Sequence, residues 1–192
     1  GGSWAGRRER RWQGRYPNRR TARSDSAYVV FGKSGTASVN LTDVQLGTGG
    51  FQIMAESPGD LEGLSLAGGA DLNRDGMADI VIGAPHNSAG GSDAGAVYVV
   101  WGGGTGTVDL GLVAQGIGGA KVVGTAGSIA GASVAIGPDA NADGTPDLMI
   151  GAPGLGESVY TLFADANWQP DLNIYGTAGD DVIGVGFGGA HV

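Results

Sequence analysis

Apolar positions along the chain fall in short runs rich in Val and Ile, each bounded by glycine or by Asp and Asn. Runs of that length with β-branched residues and flanking turn formers predict strands. Ala27-Tyr28-Val29-Val30-Phe31-Gly32 is one, Ala96-Val97-Tyr98-Val99-Val100-Trp101-Gly102 is a near copy, and Ser158-Val159-Tyr160-Thr161-Leu162-Phe163 is a weaker third version. Each is followed by a polar stretch and another apolar piece: Ala37-Ser38-Val39-Asn40-Leu41, Gly106-Thr107-Val108-Asp109-Leu110 and Gln169-Pro170-Asp171-Leu172-Asn173. These pieces are expected to be outer strands of the same unit. The opening of the unit recurs as Gly63-Leu64-Ser65-Leu66-Ala67, Gly131-Ala132-Ser133-Val134-Ala135 and Gly184-Val185-Gly186-Phe187-Gly188, with starts 68 and then 53 residues apart. The order strand, polar loop, strand, Gly-Ala-Pro turn, strand, outer strand predicts an all-β protein. Its four-stranded antiparallel units are those of a β-propeller blade.

The polar loop inside that unit is the most informative stretch. It reads Asp71-Leu72-Asn73-Arg74-Asp75-Gly76-Met77-Ala78-Asp79 in one copy and Asp139-Ala140-Asn141-Ala142-Asp143-Gly144-Thr145-Pro146-Asp147 in the next. Oxygen-bearing side chains stand at positions 1, 3, 5 and 9, and position 7 (Met77 or Thr145) can offer its backbone carbonyl. Gly at position 6 permits the turn that closes a ring. Such a donor set suits a hard cation such as Ca²⁺, which takes six to eight oxygens at about 2.3–2.6 Å. Three carboxylates held this close repel one another without a cation among them. The bland alternative is an Asx-rich surface turn; two loops with every ligand position filled favour two Ca²⁺ sites of structural type. An EF-hand would place a bidentate Glu at position 12, where this chain has Ile82 and Ile150, and the apolar run after each loop reads as a buried strand.

Composition narrows the class. Glycine accounts for 40 of 192 residues without a period-3 pattern, which fits many tight turns. There is no Cys, so disulfides contribute nothing, and no apolar run approaches the roughly 18 residues of a membrane span. The net charge of −8 conceals two parts: residues 1–24 hold eight Arg and one Glu, whereas residues 25–192 hold three basic and 18 acidic side chains. An acidic body argues for cation binding and against a nucleic-acid partner. Residues 1–25 read as a basic, disordered or non-native extension, set against a nucleic-acid or anionic-surface arm.

Catalytic chemistry finds little footing. His86 and His191 are the only histidines, and neither has a nucleophile and orienting acid assignable around it. Ser65 and Ser133 lie in Gly-x-Ser-x-Ala contexts that mimic half of a nucleophile elbow, but they repeat with the unit, as packing residues do. The glycines at 102–104 and 184–189 lack the Lys-Ser/Thr context of a phosphate cradle. Trp101, Phe31, Tyr28 and Tyr98 are expected in the core between blades. No enzyme activity is expected.

Taken together, Phe31-Gly32, Trp101-Gly102, the Gly83-Ala84-Pro85 and Gly151-Ala152-Pro153 turns and the two DxNxDGxxD loops resemble the FG-GAP repeats of integrin α-subunit type β-propellers. The likeness covers about residues 26–192 and extends to repeat tracts of bacterial secreted adhesins. It implies a calcium-binding propeller of about seven blades, of which this chain holds an incomplete set. Residues 26–61 would be the rear half of a blade and a connection, 62–125 and 126–175 two blades with calcium loops, and 176–192 the first strand of another. The opening of a Gly/Asp-rich nonapeptide repeat is the rival reading of that last segment. The expected setting is secreted or cell-surface, since millimolar extracellular calcium would fill such loops, and the expected partner a protein or glycan. Alternatives are a carbohydrate-binding or hydrolase-associated module, and a self-assembling ring or filament. The chain is expected to be part of a longer protein or to form a homo-oligomer.

Overall fold

The computed structural model describes residues 25–104, 106–154 and 158–164, together with the backbone of residues 182–183. In chain order the elements are β1 (Ser26–Val30), α1 (Leu41–Gln45), β2 (Gly50–Met54), β3 (Ser65–Ala70), β4 (Asp79–Ala84), β5 (Ala96–Val100) and β6 (Val108–Asp109). They continue with α2 (Leu110–Val113), β7 (Gly119–Val123), β8 (Ser133–Ile136), β9 (Leu148–Ala152), β10 (Ser158–Leu162) and β11 (Val182–Ile183). The middle sheet has the order β3-β4-β5-β7, antiparallel throughout. The next repeats it as β8-β9-β10, with β11 joining β10 in parallel at the outer edge. The first pairs β1 with β2 antiparallel and takes β6 alongside β2 in parallel, from the chain that follows β5. These are partial propeller blades in an all-β fold.

The three sheets stack face to face, and β5 shows why. All five of its residues are buried, yet strand alternation sends them to opposite sides. Ala96, Tyr98 and Val100 join Ala27, Phe51, Ile53 and Leu110 in one core, between the first and middle sheets. Val97 and Val99 join Leu148, Ile150 and Leu162 in a second core, between the middle and third sheets. Each fully buried aliphatic side chain contributes about 1.5–3 kcal/mol relative to exposure, so both faces of the middle sheet bind it to its neighbours.

Gly83 sets the closeness of that stacking. A Cβ there would lie 2.0 Å from the Gly131 carbonyl oxygen and 2.3 Å from Ser65 Oγ. The Ser65 hydroxyl donates to that same Gly131 oxygen at 2.8 Å, joining the inner strand of one blade to the entry of the next. Gly83 and Ala84 therefore belong to β4, and the turn begins only at Pro85.

Two expectations need correction. The strands that pair beside β1 and β5 are Gly50–Met54 and Gly119–Val123; the piece at 37–41 holds no strand, and in 106–110 only Val108–Asp109 is one, at the edge of the neighbouring first sheet. In those pieces Asn40 and Asp109 act as helix caps: their side-chain oxygens accept the Thr42 and Gly111 amides at 2.9 and 2.8 Å. A capping side chain offers the backbone a helical turn in place of a strand ladder, so a short helix precedes each true outer strand. Of the four aromatic residues, Tyr98 is fully buried, but Phe31 is 47% exposed and packs edge-on to Phe51, its ring centroid 6.0 Å away. The pieces at 169–173 and 184–188, the segment 1–24 and His191 lie outside the described residues. Among the described residues no helix is long and apolar enough to cross a membrane.

Candidate metal centre

Each nine-residue loop bridges the first two strands of a blade, β3 to β4 and β8 to β9. The two are folded alike, bond for bond. In the first, Asp71 Oδ1 and Oδ2 accept the amides of Asp75 at 3.0 Å and Gly76 at 2.8 Å, and Asn73 Oδ1 shares the Asp75 amide at 3.1 Å. Asp75 Oδ1 accepts the Met77 amide at 2.8 Å, while its Oδ2 takes the Asn73 side-chain amide at 3.0 Å. The second loop repeats this: Asp139 holds the Asp143 and Gly144 amides at 3.0 and 2.7 Å, and Asn141 shares the former at 3.1 Å. Asp143 accepts the Thr145 amide and the Asn141 side-chain amide, both at 2.8 Å.

Two residues per loop adopt left-handed backbone: Gly76 and Gly144 with φ of 89° and 90°, and Arg74 and Ala142 with φ of 61° and 59°. The glycines follow from the motif. A non-glycine residue in that region is uncommon and costs strain, which the paired Asx hydrogen bonds on either side offset.

Position 9 does something the spacing alone did not reveal. Asp79 is fully buried; its Oδ2 accepts the Leu72 amide at 2.7 Å and its Oδ1 the Gly102 amide at 2.8 Å. Asp147 repeats the arrangement with Ala140 at 2.6 Å and Ala164 at 3.2 Å. Each carboxylate thus ties its loop to the chain leaving the third strand of its own blade. Burial raises the pKa of Asp79, and the nearby Asp75 and Asp71 charges raise it further, against the lowering effect of the Gly102 and Leu72 amides. The exposed Asp143 has a lowered pKa, chiefly through the Asn141 amide, with Arg74 adding to it.

Among the described residues no group of three or more Asp, Glu or His side chains stands already gathered as a metal-ion site, because the carboxylate oxygens are turned onto loop amides. Each such oxygen has a second lone pair, and the donors in both loops are all oxygen. The Thr145 hydroxyl is enclosed without a hydrogen-bond partner. Closely spaced carboxylates within an all-oxygen donor set fit a hard cation and do not fit a soft one. Asp71, Asn73, Asp75, Asp79 and the Met77 carbonyl would hold it in one loop, and Asp139, Asn141, Asp143, Asp147 and the Thr145 carbonyl in the other. Bound there, Ca²⁺ would supply charge neutralisation and loop closure.

The FG-GAP repeat family matches residues 63–100 and 130–162, each span running from the inner strand through the loop to the third strand. These two blades are FG-GAP repeats. The chain is also 41% identical over 96 residues to phosphatidylinositol-glycan-specific phospholipase D of Mus musculus, covering 48% of this chain and 11% of that protein. It is 38% identical over 94 residues to integrin alpha-7 of Mus musculus (48% and 7%) and 36% identical over 100 residues to integrin alpha pat-2 of Caenorhabditis briggsae (52% and 8%). The chain thus spans only about a tenth of the length of these relatives.

Proposed function

We propose that this chain is a calcium-stabilised FG-GAP propeller segment that serves adhesion or protein interaction outside the cytoplasm, with a protein or glycan as its partner. The observation that carries the reading is the position-by-position agreement of two loops with all-oxygen donor sets. Loops at this affinity class fill at millimolar calcium and stay largely empty at cytosolic levels, which is the ground for the secreted or cell-surface setting. The likeness to integrin α chains supports the interaction role.

A non-catalytic role agrees with the two residue types that invite an enzymatic reading. Ser65 spends its hydroxyl on Gly131 between blades. His86 sits half-exposed at the surface, with Nδ1 3.3 Å from Asp93 Oδ1. Calorimetric titration of the chain with Ca²⁺ tests the proposal: two ions bound in the micromolar to millimolar range are expected, and no heat at millimolar Ca²⁺ would refute it. The match to a phospholipase D favours a second reading, a non-catalytic module within a larger hydrolase. Recovery of the native full-length protein with lipase activity would select it.

A further inference from the structure

One ion pair joins the two loops, and it runs in a single direction. The Arg74 guanidinium, from position 4 of the first loop, donates to the Asp143 backbone carbonyl and lies 3.1 Å from Asp143 Oδ1 in the second. The left-handed φ of 61° at Arg74 belongs to the turn from which its side chain crosses to the next blade. The crossing is close: a Cβ on Gly144 would lie 3.4 Å from Arg74 Nη2. The matching residue of the second loop is Ala142, with the same backbone φ of 59° and no side chain to extend.

We infer that Arg74 is a built-in counter-cation for the second loop, holding that loop closed without metal and making it the weaker of the two calcium sites. This rests on the calcium reading above. The two loops carry the same ligand types, three carboxylates and one amide each, so their intrinsic donor sets do not distinguish them. Arg74 does: its positive charge is seated on a ligand of the second loop, although it belongs in sequence to the first. Asp143 Oδ1 already accepts the Thr145 amide at 2.8 Å, so Arg74 takes the remaining direction on that oxygen. A positive charge within a few ångströms of a divalent site at a half-exposed surface weakens binding by roughly three- to tenfold, after solvent and salt screening. The first loop then fills first, and Arg74 must leave Asp143 Oδ1 for the second to fill.

The test is calcium titration of the wild-type chain, Arg74→Gln and Arg74→Lys, followed by calorimetry and by terbium luminescence, with melting in chelator measured in parallel. Wild type is expected to show two unequal sites. Arg74→Gln should tighten the weaker site three- to tenfold, leave the tighter one unchanged and lower the melting temperature in chelator. Arg74→Lys, which keeps the charge, should leave the weaker constant near wild type. Repeating the Arg74→Gln comparison in an Asp75→Asn background, where only the second loop remains competent, assigns the change to that loop. A purely structural strap would lower the melting temperature without tightening any site. That result, or a weaker second site in Arg74→Gln, overturns the inference while leaving the calcium reading intact. A wild-type chain that binds no calcium overturns the calcium reading itself, and this inference falls with it.

Discussion

Asp75 and Asp79 have the same side chain in the same loop, and their surroundings give them different work. Asp75 is exposed, with its oxygens turned to loop groups at close sequence range. Asp79 is fully buried and joins the loop to Gly102, beyond the third strand. Asp75→Ala and Asp143→Ala are each expected to remove one bound ion in a calcium titration. Asp75→Ala should also change stability in chelator by no more than about 1 kcal/mol, as for an exposed turn residue. Asp79→Ala strands two amides in a buried setting and should cost about 2–4 kcal/mol even in chelator, read from urea unfolding. Gly83→Ala drives a methyl into the Gly131 carbonyl. Because that obstacle is backbone, a loss of about 3 kcal/mol is expected in the same assay. The DxNxDGxxD spacing was legible because every hydrogen bond inside the loop lies within seven residues. The clamps to Gly102 and Ala164 were not, since nothing local marks a glycine or alanine amide as a partner for an aspartate about 20 residues away.

At the level of elements, the middle blade is joined to the first by a polar knot inside an apolar interface. The buried Tyr98 hydroxyl on β5 donates to Glu56, whose Oε2 also receives Lys121 Nζ from β7 at 2.5 Å. Asn87 Nδ2 reaches Tyr98 Oη at 3.1 Å and Asp60 Oδ2 at 3.0 Å, and the Lys121 ammonium lies 5.2 Å from the Tyr98 ring centre. Burial would raise the Glu56 pKa, but Lys121, Tyr98 and Asn87 together outweigh it, and the group lies below 4.5. A carboxylate whose pKa is lower folded than unfolded binds fewer protons in the folded state. Its contribution is therefore complete above pH 4.5 and lost as pH falls through the folded value. Acid unfolding of Glu56→Gln should lack that portion of the pH dependence, while Tyr98→Phe should cost about 1–3 kcal/mol at neutral pH. Only the place of Tyr98 in the core between blades was readable in advance. Lys121 sits in a strand the sequence pattern missed, because Gly119–Val123 follows a capped helical turn and shows no alternation of polar and apolar residues.

Among the described residues, cohesion is concentrated in the middle sheet, which is covered on both sides, while the first and third sheets leave Val30, Phe31 just beyond β1, and Val159 at 45–56% exposure. Calcium binding only to the folded state would add about 2.7 kcal/mol per site at a hundredfold excess over Kd. A rise in melting temperature with calcium, reversed by chelator, is the expected calorimetric result. The sequence by itself determined the strand–loop–strand repeat, the all-β class and the spacing of oxygen-bearing side chains in the loops. Each of those is set by side-chain alternation and by hydrogen bonds between residues a few places apart. Tertiary structure alone decided which strands lie outermost, that β6 joins the neighbouring sheet, that Asp79 and Asp147 serve as clamps, and that Arg74 reaches Asp143. Those contacts close across tens of residues, and their partners become neighbours only once the blades have stacked.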